Sequence, residues 1–142
     1  MASPASALDR PLVLLVDDDH AVRLVMARTL VEEGYNVLTA PDGQAAITII
    51  QGLHSPPDLV ITDLRMPIMG GEELSAWVAR HHPGIPVLFV SGFALVRDAR
   101  DLPGPVLAKP FLGEDLRARV RERLQSRARK HLPYDPMKRL ET

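Results

Sequence analysis

Each of four short apolar runs in this sequence ends in a side chain that suits phosphoryl-transfer chemistry. These side chains are the acids Asp17, Asp18 and Asp19, the acid Asp63, the hydroxyl of Ser91 and the ammonium of Lys109. Clustered carboxylates repel one another unless a cation compensates them, and Mg²⁺ prefers carboxylate oxygens. A metal ion, an ammonium and a hydroxyl can together neutralise and hold the oxygens of a transferring phosphoryl group.

Asp63 is distinguished by the stretch that carries it, DLVITDLRMP. Residues 59–61 form an unbroken apolar run of the kind found in strands buried on both faces, and Pro67 stops regular structure beyond it. Taken alone, such an acid is equally consistent with a solvated turn residue. As a nucleophile it would form an acyl phosphate. The chain has no Gly-rich phosphate loop, so the donor would be another protein or a small phosphodonor.

The apolar runs alternate with helical patterns, which predicts a parallel sheet covered by helices on both faces. Predicted strands cover residues 12–16, 35–39, 86–90 and 106–108, and a further strand contains residues 59–61 and leads to Asp63. Asp19 is the predicted N-cap of the first helix. The last helix carries an apolar stripe of Leu112, Leu116, Val120 and Leu124. Because the carboxyl ends of parallel strands share one edge, the four polar features are expected to converge there.

Composition indicates a single domain, with a lead-in at 1–10 predicted to be mobile, a domain at 11–130 and an irregular tail at 131–142. Cysteine is absent from the 142 residues, which excludes disulfides and thiolate metal sites. The sequence shows neither an apolar stretch long enough to span a bilayer nor a signal peptide, so we expect a cytoplasmic protein with no membrane partner.

Lysine is scarce, and this singles out Lys109. Arginine outnumbers lysine 14 to three, and Lys109 is the only lysine in the first 129 residues. Nine of the 17 basic residues fall between Arg117 and Arg139. Acids interrupt this run and it contains no aromatic residue through Lys130, so we interpret it as a solvated helix face and expect no direct nucleic-acid partner.

Four motifs in this order, LLVDDD, ITDLRMP, FVSG and AKPF, resemble the receiver domain of two-component response regulators. The resemblance covers residues 11 to about 128. It implies a flavodoxin-like (βα)5 sheet with strand order 2-1-3-4-5. It also implies that Asp63 accepts a phosphoryl group from a phosphohistidine on a histidine kinase or histidine phosphotransfer protein. Such a domain is no enzyme in the ordinary sense, since it catalyses only its own phosphorylation and dephosphorylation.

The same resemblance implies roles for individual residues. By this resemblance, Asp18, Asp63 and the backbone carbonyl of Arg65 would bind Mg²⁺ directly, and Asp17 would act through water. Ser91 would hydrogen-bond one phosphoryl oxygen and Lys109 would pair with another, and the Lys109–Pro110 bond would be cis. His20, Arg65 and Phe93 stand where receivers vary and are candidate modulators of dephosphorylation.

The chain departs from the receiver pattern at three places. Val106 and Ser91 occupy the two switch positions of the receiver pattern. Many receivers carry Tyr or Phe in the place of Val106. The segment between Ser91 and Lys109 is about one helical turn shorter than usual, which predicts a short or distorted fourth helix. Gly70 stands where an acid is common. The first two departures alter the face formed by the fourth helix, the fifth strand and the last helix, which we expect to be a homodimer surface. SGFA followed by a short loop and AKPF resembles hybrid-kinase or stand-alone receivers.

Two other functions and one local surface stay open at this point. Asp17 and Asp19 form a D-x-D that resembles haloacid dehalogenase-type phosphatases, in which Asp17 would be the nucleophile. A receiver-fold adaptor that works without phosphorylation is the second alternative. Phe93, Leu95 and Val96 either form a partner-docking patch or simply cap the core.

Overall fold

In this computed structural model, which describes residues 10–92, 102 and 104–130, strands and helices alternate along the chain. The strands are β1 (Leu12–Val16), β2 (Asn36–Ala40), β3 (Leu59–Asp63), β4 (Val87–Gly92) and β5 (Val106–Lys109). The helices within the described part are α1 (His20–Glu32), α2 (Gly43–Gly52), α3 (Gly71–His81) and α4 (Gly113–Lys130), where α4 is the last helix.

The five strands form one parallel sheet in the order β2-β1-β3-β4-β5. This confirms the predicted flavodoxin-like arrangement. The central strand β3 is buried along its whole length, as its apolar run predicts. Its last residue, Asp63, lies opposite Val90 of β4, so the carboxyl ends of the inner strands reach the same edge.

The core has two layers, one on each face of the sheet. On one face, α2 and α3 pack through Ile47, Ile50 and Leu74. On the other face, α1 and α4 pack through Leu30 and Val120. Successive strand residues alternate between the two layers, because strand side chains point to opposite faces. The fold therefore holds the strand ends rigidly between two packed helical layers.

Two predicted strands end earlier in the sequence analysis than in the structure. β4 continues through Ser91 and Gly92, and β5 includes Lys109, because Ser91 pairs with Ala108 and Gly92 pairs with Lys109 across the sheet. These polar residues are therefore the last residues of strands and do not follow them. The prediction for β2 was one residue early, since the Tyr35 amide donates to the Leu30 carbonyl and so belongs to the end of α1.

The predicted apolar stripe of the last helix is wrong at its first member. Leu112 precedes α4 and is 64% exposed. Its carbonyl accepts the amides of Asp115 and Leu116, while its own amide donates to the Asp115 carboxylate. The backbone groups of Leu112 thus stabilise the start of α4 by hydrogen bonds. Leu116 and Val120 are buried as predicted.

The predicted cap of the first helix is confirmed, since Asp19 accepts a hydrogen bond from the Val22 amide at 3.1 Å. Four predictions lie outside the described residues: the mobile lead-in, the short or distorted fourth helix, the Phe93–Leu95–Val96 patch and the irregular tail. Among the helices that are described, none has the length and apolar character required to cross a bilayer.

Candidate functional site

Three acids meet at the carboxyl edge of the sheet. Asp63 ends β3 and Asp17 follows β1, with exposed fractions of 9% and 1%, whereas the neighbouring Asp18 is exposed. Carboxylate oxygens of the three residues lie within 4.8 Å of one another. This hard oxygen set, open to solvent on the Asp18 side, matches the ligand preference of a divalent cation such as Mg²⁺. The structure thus brings together the acids that the sequence predicted to converge.

Lys109 lies between the two more buried acids. Its Nζ donates to Asp17 Oδ2 and to Asp63 Oδ2, each at 2.9 Å. Burial lowers the pKa of Lys109, but the hydrogen bonds and charges of Asp63 and Asp17 outweigh this and leave the pKa above its ordinary value. The ammonium therefore stays charged at neutral pH and offsets the repulsion between the carboxylates.

Backbone groups fix the remaining carboxylate oxygens. Asp17 Oδ1 accepts from the Asp19 amide at 2.9 Å, and Asp63 Oδ1 accepts from the Arg65 amide at 3.3 Å. The Asp19 side chain turns to the α1 amides instead, so the third acid of the DDD run caps the helix and is not part of the acidic cluster. The carboxylates of Asp17 and Asp63 are consequently held in place on both oxygens.

Ser91 lies at the same edge, on the side of Asp63 away from β1. Its side chain is fully buried, and its hydroxyl has no hydrogen-bond partner among the residues that the structure describes. A buried hydroxyl without a partner carries a desolvation cost, so such groups in native proteins call for an explanation. A ligand oxygen arriving at this edge would supply the missing acceptor.

The loop after Asp63 is held close to the strand by two glycines. A Cβ atom at Gly71 would collide with the Asp63 carbonyl, and one at Gly70 would lie 2.9 Å from the Leu64 carbonyl. The Gly71 amide donates to that same Leu64 carbonyl at 2.9 Å. Glycine at position 70, where many receivers carry an acid, therefore has a steric reason in this chain.

The other predicted site residues differ from one another in burial and contacts. The Lys109–Pro110 bond is cis, as the resemblance implied. Val106 is half-buried and packs against the core layer that contains Phe89. The Arg65 side chain is exposed, and its backbone amide contacts Asp63. Phe93 lies outside the described residues.

Sequence reasoning missed Arg23. Its guanidinium donates from Nη1 to the Asp17 carbonyl at 2.6 Å, and its Nη2 lies 3.1 Å from His20 Nδ1. The signal was present, because Arg23 lies four residues after the N-cap Asp19 and thus on the same side of the first turn. Nothing in the residue types alone showed that its side chain points back to the strand end.

An apolar cleft of about 570 Å³ beside Lys109 was also missed. Its lining comes from α1 and from the residues after β5: Ala21, Val22, Val25, Met26, Pro110 and Phe111. Val25 is 65% exposed, and Leu112, which follows Phe111 in the sequence, is 64% exposed. Single exposed apolar groups are ordinary, but an apolar cleft directly beside a polar site indicates a contact surface.

This fold and this edge, with paired acids, a central acid, a buried hydroxyl and a lysine, define a receiver-type signalling domain. The chain belongs to the response regulator receiver domain family, whose model matches residues 13–121. It is a signalling receiver domain of two-component systems and not a classical enzyme. The hypothesis of a haloacid dehalogenase-type phosphatase is wrong, because the chain belongs to the receiver family. The 1% exposure of Asp17 also makes that residue a poor nucleophile.

Known relatives agree with this membership. The response regulator receiver protein CpdR of Brucella abortus is 34% identical over 108 residues, which cover 73% of this chain and 88% of CpdR. The sensor kinase CckA of the same species is 39% identical over 117 residues, covering 80% of this chain. The chain spans only 12% of the length of CckA.

Solved structures give the same result. The receiver domain protein of Methanospirillum hungatei, described as CheY-like, superposes with a TM-score of 0.76 at 25% identity, covering 86% of this chain and 99% of that one. An uncharacterised protein of Neptuniibacter caesariensis superposes with a TM-score of 0.78 at 30% identity, covering 88% and 96%. The similarity thus extends over nearly the whole of each of these chains.

Proposed function

We propose that Asp63 is the phosphoacceptor of this receiver domain and takes its phosphoryl group from a phosphohistidine of a partner kinase or phosphotransfer protein. The observation that carries the proposal is the position of the Asp63 carboxylate, 2.9 Å from the Lys109 ammonium and within 4.8 Å of the Asp17 and Asp18 oxygens. In this reaction an Asp63 oxygen forms a bond to phosphorus while the phosphorus–nitrogen bond breaks. The bonding electrons return to the histidine nitrogen.

The residues at the edge would hold Mg²⁺ in the way the receiver family implies. Asp18, Asp63 and the Arg65 carbonyl would bind it directly, and Asp17 would act through water. When bound, Mg²⁺ neutralises charge on the transferring phosphoryl oxygens. The protein's contribution is to keep the acids close enough to share a cation, which the ties from Lys109 and the two backbone amides achieve.

Lys109 and Ser91 would then bind the phosphoryl oxygens on Asp63. Both carboxylates that Lys109 contacts lie next to the incoming group, so its ammonium needs only a short movement to reach a phosphoryl oxygen. The buried Ser91 hydroxyl, which has no partner in the described part of the chain, would donate to another oxygen. Phosphorylation would thereby draw β4 and β5 toward Asp63 and alter a protein-interaction surface.

The direct test is to incubate the chain with acetyl phosphate and follow its intact mass. With Mg²⁺ present we expect the mass of one phosphoryl group to be added, and we expect hydroxylamine to remove it, as it does for an acyl phosphate. Chelating Mg²⁺ with EDTA should prevent the labelling. If no mass is added in Mg²⁺, the chain is a phosphorylation-independent adaptor and the proposal fails.

Replacing Ser91 with Ala tests the second phosphoryl contact. The unphosphorylated variant should be as stable as the wild type or up to about 1 kcal/mol more stable, because an unpaired buried hydroxyl is removed. Labelling by acetyl phosphate should slow by about tenfold or more, since one charge-assisted hydrogen bond is lost in the transition state. Urea unfolding and the initial labelling rate measure the two effects.

Thr62 provides the matched control for Ser91, because it is also a fully buried hydroxyl residue but donates to the Asp63 carbonyl. Thr62→Val should lower stability, in contrast to Ser91→Ala. A Ser91→Ala protein that loses stability and labels at the wild-type rate would contradict the role assigned to this hydroxyl.

We further propose that the apolar cleft receives a helix of the phosphohistidine-bearing partner. Lys109 lines the cleft and also contacts Asp63, so a partner seated on Val25 and Phe111 would sit directly beside the phosphoacceptor. The exposed apolar side chains of Val25 and Leu112 would be covered by such a helix. Acetyl phosphate is too small to need this surface.

A charge placed in the cleft should therefore separate the two phosphodonors. The kinase donor is a phosphorylated histidine kinase that labels the wild-type chain. We expect Val25→Glu to slow transfer from this kinase by about tenfold or more, because the new carboxylate would be desolvated in the complex. Labelling by acetyl phosphate should stay at the wild-type rate. Rapid-quench transfer assays and acetyl phosphate labelling measure these rates.

Val31→Glu is the matched control, because Val31 lies on the same helix with a similar exposed fraction of 57% but does not line the cleft. It should leave both donors unaffected. Equal slowing of kinase transfer by Val25→Glu and Val31→Glu would show that the cleft has no special part in docking.

The extent of the unit and its output belong to the same proposal. We propose residues 11–130 as the receiver domain, acting alone or as part of a longer hybrid kinase, with a homodimer surface on the side of β5 and α4. His20, Arg65 and Phe93 stay predicted modulators of dephosphorylation, and substitution of any of them should change the lifetime of the acyl phosphate.

A further inference from the structure

Arg23 connects the first turn of α1 to the acidic edge. Its Nη1 donates to the Asp17 carbonyl at 2.6 Å, and its Nη2 meets His20 Nδ1 at 3.1 Å. Because a guanidinium can only donate, the Nδ1 atom of His20 is the acceptor in this contact. The half-buried Arg23 side chain therefore links the end of β1 with the residue that opens α1.

Every acceptor atom of Asp17 is occupied by a different donor. The carbonyl is bound by Arg23, Oδ1 by the Asp19 amide and Oδ2 by Lys109. One of these three ties is temporary in the proposed reaction, since Lys109 has to move from the carboxylates to the phosphoryl group. After that movement, Arg23 and the Asp19 amide still bind acceptor atoms of Asp17, and the Asp17 amide still donates to the Ala40 carbonyl at 3.1 Å.

We propose that Arg23 is a positioning residue for the Mg²⁺ site, acting through the Asp17 backbone. The inference rests on the proposed function, because it requires that Asp17 take part in holding Mg²⁺. Groups that orient metal ligands without touching the metal typically change metal affinity by about 10- to 100-fold. Arg23 holds its residue by the carbonyl and not by the carboxylate, so we expect the lower end of that range.

The charge of Arg23 acts in the opposite direction from its hydrogen bond. A cation near the acids disfavours a second cation, so removing the charge alone would strengthen Mg²⁺ binding. Loss of the hydrogen bond leaves the Asp17 carbonyl without this donor, so that the Asp17 backbone is held through its amide on Ala40, and would weaken Mg²⁺ binding. The sign of the change in affinity thus shows which property of Arg23 matters.

The test is calorimetric titration of MgCl2 into the unphosphorylated chain. We expect Arg23→Met to raise the dissociation constant for Mg²⁺ by about tenfold. Arg23→Lys keeps the charge and one donor but not the two-pronged contact, so its increase should be smaller. Arg28→Met, at an exposed arginine further along the same helix, should bind Mg²⁺ like the wild type.

Thermal unfolding of the same proteins in EDTA separates positioning from a purely structural role. A lowered melting temperature of Arg23→Met together with unchanged Mg²⁺ affinity would overturn the inference, and so would tighter Mg²⁺ binding. The proposed function is judged separately, by labelling of the wild type with acetyl phosphate. If Arg23→Met binds Mg²⁺ normally while the wild type is labelled, the inference fails and the proposed function stands.

Discussion

Asp63→Asn is expected to abolish acyl-phosphate formation while leaving the fold intact. An amide nitrogen or oxygen is far less nucleophilic than a carboxylate, and the variant also removes one of the three acids that would share Mg²⁺. The substitution keeps the shape of a side chain that is 12% exposed, so packing of the strand end should not change. Intact mass after treatment with acetyl phosphate and Mg²⁺ gives the readout.

Asp42→Asn is the control for this experiment. Asp42 caps α2 by accepting from the Ala45 amide at 2.8 Å, and Asn caps helices about as well as Asp. Its labelling should equal that of the wild type. Labelling of the Asp63→Asn protein would place the acceptor elsewhere, and peptide mapping would then have to distinguish Asp17 from Asp18.

The sequence was sufficient to predict the sheet because burial and connectivity leave few choices. The buried run at 59–61 and the run Leu12–Val16 require helices on both faces, and right-handed crossovers then restrict the topology. Strand ends were predicted less well. Ser91 and Lys109 are polar, so the apolar pattern ends before them, yet pairing between β4 and β5 continues through both residues.

The candidate site was predictable as a set of residue types at one edge but not as a set of contacts. Convergence of Asp17, Asp63 and Lys109 follows from the parallel topology alone. The different roles of the three acids in the DDD run do not follow from the topology, because they depend on the Asp19 side chain accepting a hydrogen bond from an α1 amide. The guanidinium contact of Arg23 likewise depends on a side-chain direction that periodicity cannot supply.

The absence of an aromatic residue at Val106 changes how the sheet edge would respond to phosphorylation. Ser91 pairs with Ala108, and Gly92 pairs with Lys109, so the two residues proposed to bind the phosphoryl group belong to directly paired strands. Drawing both toward Asp63 would act on the β4–β5 pair itself. Val106 is half-buried in the same pair and is too small to report the change by a ring movement.

Lys109→Met is expected to give the largest loss of stability in the absence of Mg²⁺. The substitution removes the ammonium from Asp17 and Asp63, whose side chains are 1% and 12% exposed, and leaves two carboxylates facing each other. Breaking a largely buried ion pair in this way costs about 2–3 kcal/mol after allowance for the 24% exposure of the lysine. Urea unfolding in EDTA at pH 7 measures the loss.

Mg²⁺ should recover more stability in the variant than in the wild type, because a cation entering the acidic cluster no longer competes with the ammonium. Arg119→Met is the control, since Arg119 and Glu122 form an exposed pair at 3.6 Å that should contribute less than about 1 kcal/mol. A Lys109→Met protein as stable in EDTA as the wild type would contradict the compensating role of this lysine.

The pH dependence of this difference has a defined sign. The pKa of Lys109 is raised in the folded protein, so its contribution is fully present below the unfolded pKa of about 10.4 and is lost as the pH rises through the folded value. From pH 7 to pH 9 the ammonium should therefore make its full contribution to the difference in unfolding free energy between the wild type and Lys109→Met. Above about pH 10.4 it should shrink, because the wild type then loses the same charge that the variant lacks. A difference that already falls between pH 7 and pH 9 would mean that the two carboxylates do not hold the proton on Lys109.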